Sequence, residues 1–92
     1  MKTVYKYPIQ IKDEQWIAIP GGEILTVGVQ RGEPFIWAKV KPSIQSDNRK
    51  FRLVGTGHPI DEKETLVYIG TFQLSEYGDL VFHLFEVDLK PF

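Results

Sequence analysis

Cysteine is absent, alanine occurs only at Ala18 and Ala38, and no run of eighteen residues is apolar throughout. Each absence excludes something. Without cysteine there can be no disulfide, no thiolate nucleophile and no cysteine-ligated zinc, and the chain suits a reducing cytosol. Two alanines leave little of the best helix former. The lack of a long apolar run argues against a membrane-spanning helix. The segment from Met1 to Tyr7 also lacks the apolar core and small-residue cleavage site of a secretory signal, so a cytoplasmic protein is expected. Histidine numbers two, with no HxH or HExxH spacing, so no metal site is expected. Charge of one sign is missing too. Eleven basic residues face twelve acidic ones for a net charge of -1, spread without a basic stripe, which disfavours double-stranded nucleic acid as a partner.

What is present favours strands. Val, Ile and Thr together supply 22 residues, suited to a pleated, half-buried surface. From Glu23 to Gln30, Leu25, Val27 and Val29 alternate with Thr26, Gly28 and Gln30, a two-residue period with one buried face. From 35 to 41, Phe35, Trp37 and Lys39 point one way and Ile36, Ala38 and Val40 the other, in a strand expected to be buried on both faces at one end. The intervening Arg31-Gly32-Glu33-Pro34 makes the pair a hairpin. A second hairpin spans Leu66 to Leu74 and Leu80 to Asp88, with Leu66, Tyr68, Gly70, Phe72 and Leu74 expected on one face. Arg49 to Thr56 is a further strand, with Phe51, Leu53 and Gly55 opposite Arg52, Val54 and Thr56. Two short strands near Lys2 to Tyr7 and Gln15 to Ile19 complete the set, and Pro20-Gly21-Gly22 ends the second. The expectation is one all-β domain over residues 1–92, a small antiparallel sandwich or partly open barrel of six to seven short strands. A domain of 92 residues has a thin core, and with 13% aromatic residues some rings are available to a ligand or a subunit interface.

The most unusual segment is Phe51-Arg52-Leu53-Val54-Gly55-Thr56-Gly57-His58-Pro59-Ile60, in which a strand runs into a glycine-flanked threonine and a histidine held before proline. Gly55 and Gly57 allow close backbone approach, Thr56 adds a hydroxyl and His58 a ring, partners suited to a nucleotide phosphate or sugar. The alternative is a tight strand exit with a surface histidine, and the segment lacks the spacing and following helix of a phosphate loop. Trp37 and Trp16 can stack on a flat base or pack in the core, which is the commoner role. Lys39 shares the face of Trp37, and Arg52 shares that of Thr56. If the two strands are neighbours, a ring, a cation and a hydroxyl converge. His83, between Val81 and Phe85, reads as a hydrogen-bonded structural residue. Ser43, Ser46 and Ser75 lie in polar loops without a GxSxG elbow, and the run Asp61-Glu62-Lys63-Glu64 reads as a solvated loop, so no enzyme is expected.

Four blocks carry a resemblance over nearly the whole chain: Trp37 to Val40, Phe51 to Ile60, Tyr68 to Leu74 and Leu80 to Glu86. The sequence resembles a family of small uncharacterised proteins of tailed phages and prophages. That context implies action by occupancy in the host cytosol, either blocking a protein or withholding an immune signal. The leading expectation is an anti-defence sponge that holds a small nucleotide-type signal without chemistry or cofactor, as a homodimer or larger oligomer. Trp37, Tyr68 or Phe72 would stack on the base, and Lys39 and Arg52 would meet phosphates. Gly55, Thr56, Gly57 and His58 would clamp a phosphate or ribose. The second expectation is a protein-binding inhibitor acting through an aromatic patch or a free sheet edge. An accessory virion or DNA-metabolism component comes third.

Overall fold

The computed structural model describes residues 1–89 and contains seven strands in two antiparallel sheets. In chain order they are β1 (Thr3–Pro8), β2 (Glu14–Ile19), β3 (Gly22–Gln30), β4 (Glu33–Val40), β5 (Asp47–Gly55), β6 (Thr65–Leu74) and β7 (Leu80–Asp88). A three-stranded sheet runs β1-β4-β3 and a four-stranded sheet β2-β5-β7-β6. Their inner faces pack into an open sandwich, not a closed barrel. Among the described residues no helix is long and apolar enough to cross a membrane.

The turns follow from backbone chemistry. Gln30 pairs with Glu33, leaving Arg31 (φ 54°) and Gly32 (φ 80°) as a two-residue loop with both central residues at positive φ, the arrangement that matches strand twist in a tight hairpin. Glu33 and Pro34 therefore belong to β4 rather than to the turn. Between β6 and β7 the chain makes one 3₁₀ turn at Ser75–Tyr77, closed by the Gly78 amide donating to the Ser75 carbonyl at 3.1 Å.

Ile36, Ala38 and Val40 of β4 are fully buried and face Phe51, Leu53 and Leu84 of the larger sheet. At that degree of burial each large aliphatic side chain contributes about 1.5–3 kcal/mol. The outer face of β4, with Phe35, Trp37 and Lys39, is only half-buried, so the strand is not enclosed on both sides as its composition suggested. The sheets come closest where β3 lies against β6. There a Cβ on Gly70 would stand 2.6 Å from Cγ1 of Val27. Nearby, Arg49 braces the sandwich. Its Nε and Nη2 donate to Glu86 at 2.6 and 2.7 Å, and its Nη1 donates across the sheets to the Gly22 carbonyl at 2.8 Å.

Two β-bulges redistribute faces that strict alternation assigns differently. In β3 the register shifts between Ile24 and Thr26, so Leu25 is an extra residue and stands 46% exposed, while Ile24 takes the inward place beside Val27. In β6 it shifts between Tyr68 and Gly70. Leu66 and Tyr68 therefore share the outer face with Thr71 and Gln73, and Phe72 and Leu74 point into the core, correcting the single face expected for all of them. Trp16 is not a core residue either. It is 51% exposed at the edge strand β2, with the Lys50 ammonium 5.8 Å from its ring centroid.

Candidate functional site

The nine residues singled out in the sequence fall in three places. Arg52, Gly55, Thr56, Gly57, His58 and Tyr68 lie on or beside the outer face of the four-stranded sheet. Trp37 and Lys39 lie on the outer face of the other sheet, because β4 pairs with β1 and β3 and never with β5. The convergence of Trp37 and Lys39 with Arg52 and Thr56 thus does not form within one chain. Phe72 is 6% exposed and stacks on Phe82 with ring centroids 5.6 Å apart, which removes it from any surface site.

The glycine-rich segment is a β-turn. The His58 amide donates to the Gly55 carbonyl at 3.0 Å, and Gly57, at φ 87°, fills the position where a type II turn requires positive φ. The Thr56 amide donates to the Val81 carbonyl at 3.1 Å. The amides of Thr56 and His58 are therefore spent within the fold. The His58 ring folds back over Gly55, where an added Cβ would lie 3.1 Å from Nδ1.

Side chains make the more distinctive feature. Thr56 Oγ1 stands 2.7 Å from His83 Nε2, His83 Nδ1 stands 2.9 Å from Thr71 Oγ1, and Thr71 Oγ1 stands 2.5 Å from the Tyr68 hydroxyl. Strand register produces this row. Val54 and Thr71 are both Cα partners of His83, so the end of β5, the middle of β7 and β6 present their outward groups side by side. A neutral imidazole donates a hydrogen bond through one nitrogen and accepts one through the other, so the ring can bridge the two threonine hydroxyls. Tyr68 is exposed and meets Phe85 edge-on, with centroids 5.7 Å apart. His83 was legible as a hydrogen-bonded residue, but its junction with Thr56 and Thr71 depends on the β5–β7 and β6–β7 registers, which no local pattern encodes.

A charged cluster flanks this row. Both Glu64 oxygens are held: Oε1 by Arg52 Nε at 2.5 Å, Oε2 by Lys50 Nζ at 2.9 Å and Arg52 Nη2 at 3.1 Å. Glu14, across from Arg52 on β2, adds contacts of 3.1 Å to Lys50 and 3.5 Å to Arg52. Hydrogen bonds from Arg52, then Lys50, hold the Glu64 carboxyl down at about 2, and the same bonds raise both cations. Arg52 is therefore a paired cation. Between this cluster and the 56–64 loop lies a hollow of about 440 Å³. Val54 and Leu66 contribute to its apolar lining, Arg52 and Glu64 to its charged side, and His58 and Ile60 come from the loop.

On the smaller sheet Trp37 tilts against Phe35 at 6.1 Å and covers Gly28, the Lys6 ammonium sits 4.6 Å from the Phe35 centroid, and Lys39 pairs with Glu23 at 2.8 Å. Phe35 and Lys6 were not among the residues picked from the sequence. No group of three or more His, Asp or Glu side chains placed to hold a metal ion occurs among the described residues.

A protein-family model described as a domain of unknown function, DUF7352, matches residues 1–91. The chain belongs to that family. No curated protein and no solved structure matches the chain. Three of the blocks noted in the sequence, in β5 with its turn, in β6 and in β7, supply Thr56, Tyr68, Thr71 and His83. In this DUF7352 domain the row beside the hollow is therefore the place where those segments meet.

Proposed function

We propose that this DUF7352 domain is a binding protein that withholds a small nucleotide-type ligand without altering it, and that it does so as a phage anti-defence factor in the host cytosol. The observation that carries the proposal is the Thr56–His83–Thr71–Tyr68 row standing beside a hollow that Val54, the Cα partner of His83, helps to line. A volume of about 440 Å³ is within the range of small-molecule sites. Ribose hydroxyls and base edges find donors and acceptors in the row, and the exposed Tyr68 ring offers a stacking surface. Thr56 and His83 also resemble a nucleophile and its base, but the second imidazole nitrogen meets a neutral hydroxyl instead of a carboxylate, which gives a forming imidazolium little support. Binding rather than turnover is the better use of this geometry.

The test is thermal unfolding against cyclic dinucleotides and ADP-ribose derivatives, with mass spectrometry of ligand recovered from the heated complex. A ligand at about 100 times its dissociation constant adds about 2.7 kcal/mol. One class should raise the midpoint and be recovered unchanged. No shift with any member of the panel overturns the reading, and a product of altered mass replaces it with an enzyme. A second reading, protein binding by strand addition, is favoured by β1 and β2, each of which ends its sheet with one unpaired edge.

A further inference from the structure

The 56–64 loop is a strap. It leaves the end of β5, crosses to the start of β6 on the far side of β7, and forms one wall of the hollow. Beyond Thr56, its hydrogen bonds through the main chain are local: the His58 amide to Gly55, the Glu64 amide to the Asp61 carbonyl, and the Lys63 amide to the Asp61 carboxylate. Residues 56–63 are all exposed, and Glu64 is the one member drawn inward, its side chain 15% exposed. Beyond Thr56, the Glu64 carboxylate thus fastens the strap to the sheet.

What it is fastened to is a ready-made anion fork. Lys50 and Arg52 are two apart on β5, so both project from the same outer face, and together they direct three N–H donors at the two Glu64 oxygens. A planar guanidinium beside a lysine ammonium grips phosphate oxygens in the same way. With Glu64 in place, that carboxylate and Asp61 on the strap, with Asp13 and Glu14 on the sheet side, outnumber the two cations, so the occupied fork disfavours a phosphate. An incoming phosphate enters only by exchange.

We propose that the Lys50–Arg52 fork is the subsite for a phosphate group of the ligand and that the Glu64 carboxylate holds its place, so that binding expels Glu64 and frees the strap. This rests on the reading of the outer face as a site for a small nucleotide-type ligand. It adds the mechanism of entry: charge on the fork stays paired throughout, and an uncharged analogue without phosphate gains nothing by displacing Glu64.

Inorganic pyrophosphate is the probe, titrated into the isotopically labelled full chain and followed by amide NMR. Wild type should show changes at the amides of Lys50, Arg52, Gly57, His58 and residues 60–64. Glu64→Gln should bind at least about tenfold more tightly, a factor usual for removal of a coupled competitor, and adding Arg52→Ala should abolish the gain. Binding no tighter in Glu64→Gln, or a gain that survives Arg52→Ala, overturns the proposal. Should Glu64→Gln fail to fold, the wild-type titration decides: no change at Glu64 and the strap overturns it. The nucleotide panel separates the two levels. Nucleotides that bind wild type and Glu64→Gln equally sink the exchange mechanism alone, whereas pyrophosphate exchange without any nucleotide binding sinks the parent reading alone.

Discussion

Two glycines separate the ways a missing side chain can matter. A Cβ on Gly22 would lie 1.9 Å from the carbonyl oxygen of Lys39 and 2.9 Å from Cα of Val40, atoms of paired backbone that cannot step aside. Gly57 has nothing within 4 Å but sits at φ 87°. Gly22→Ala should therefore reach or exceed the upper end of the about 1–3 kcal/mol typical of overpacking, and Gly57→Ala should stay near the about 1–2 kcal/mol of a left-handed conformation. Urea midpoints at constant m-value test the ranking, and a larger loss at Gly57 would contradict it. Glu64 gives a residue-scale prediction in pH. Its carboxyl is lowered from 4.5 to about 2 by Arg52 and Lys50, so the folded state binds its proton less readily than the unfolded chain. The stabilisation is fully present above about pH 4.5 and is lost as pH falls through about 2. The stability gap between wild type and Glu64→Gln should accordingly be widest above pH 5 and close toward pH 2; a gap that is constant over that window would remove the pairing as its cause.

At the scale of elements, all seven strands were readable from alternation, β-branched content and turn residues, with ends moved by about two residues or fewer. The faces were readable in β4 and β5, where alternation is unbroken: Ile36, Ala38 and Val40 do point inward, and Arg52, Val54 and Thr56 outward. They were misread in β3 and β6, because a bulge is fixed by the partner strand and the packing between sheets, and neither Leu25 nor Ile69 carries a local mark of being the extra residue. The site suffered the same loss. Thr56 and Tyr68 were picked for their chemistry, but which strands adjoin is a tertiary fact, and so Trp37 and Lys39 were grouped with the wrong neighbours and Lys50, Glu64 and Thr71 passed over. The Arg49 brace shows what such pairing does for the elements. Glu86→Ala strands a guanidinium whose side chain is only 21% exposed, so it should destabilise by about 1–3 kcal/mol. Exchanging both partners for apolar residues, Arg49→Met with Glu86→Leu, should recover much of the loss, since the pair then leaves no uncompensated charge. Denaturant unfolding of the two variants tests this, and a double variant less stable than the single one would show that the bond to Gly22 outweighs the ion pair.

At the scale of the whole molecule the decisive quantity is thickness. The Cα trace measures 40 × 36 × 15 Å, so the two outer faces look away from each other across the packed interior. Trp37 and Lys39 stand on one, and Thr56, Tyr68, Thr71 and His83 on the other. A small ligand bound by one chain can engage only one set. If the row on the four-stranded sheet holds the ligand, Thr56→Val and His83→Ala should each weaken binding by about tenfold, since each leaves polar groups of ligand and protein without partners. Trp37→Ala should then leave affinity within about twofold, because the ring lies beyond the sandwich core. Isothermal titration with the best ligand of the panel makes the comparison, and sedimentation of the same samples completes it. Loss of binding in Trp37→Ala together with a concentration-dependent dimer would mean that a second copy lays its three-stranded face over the four-stranded face of the first, uniting through assembly the two sets that the monomer keeps apart. The same loss in a sample that sediments as a monomer would place the ligand on Trp37 and Phe35, and the row around His83 would then be a structural tie between β5, β6 and β7.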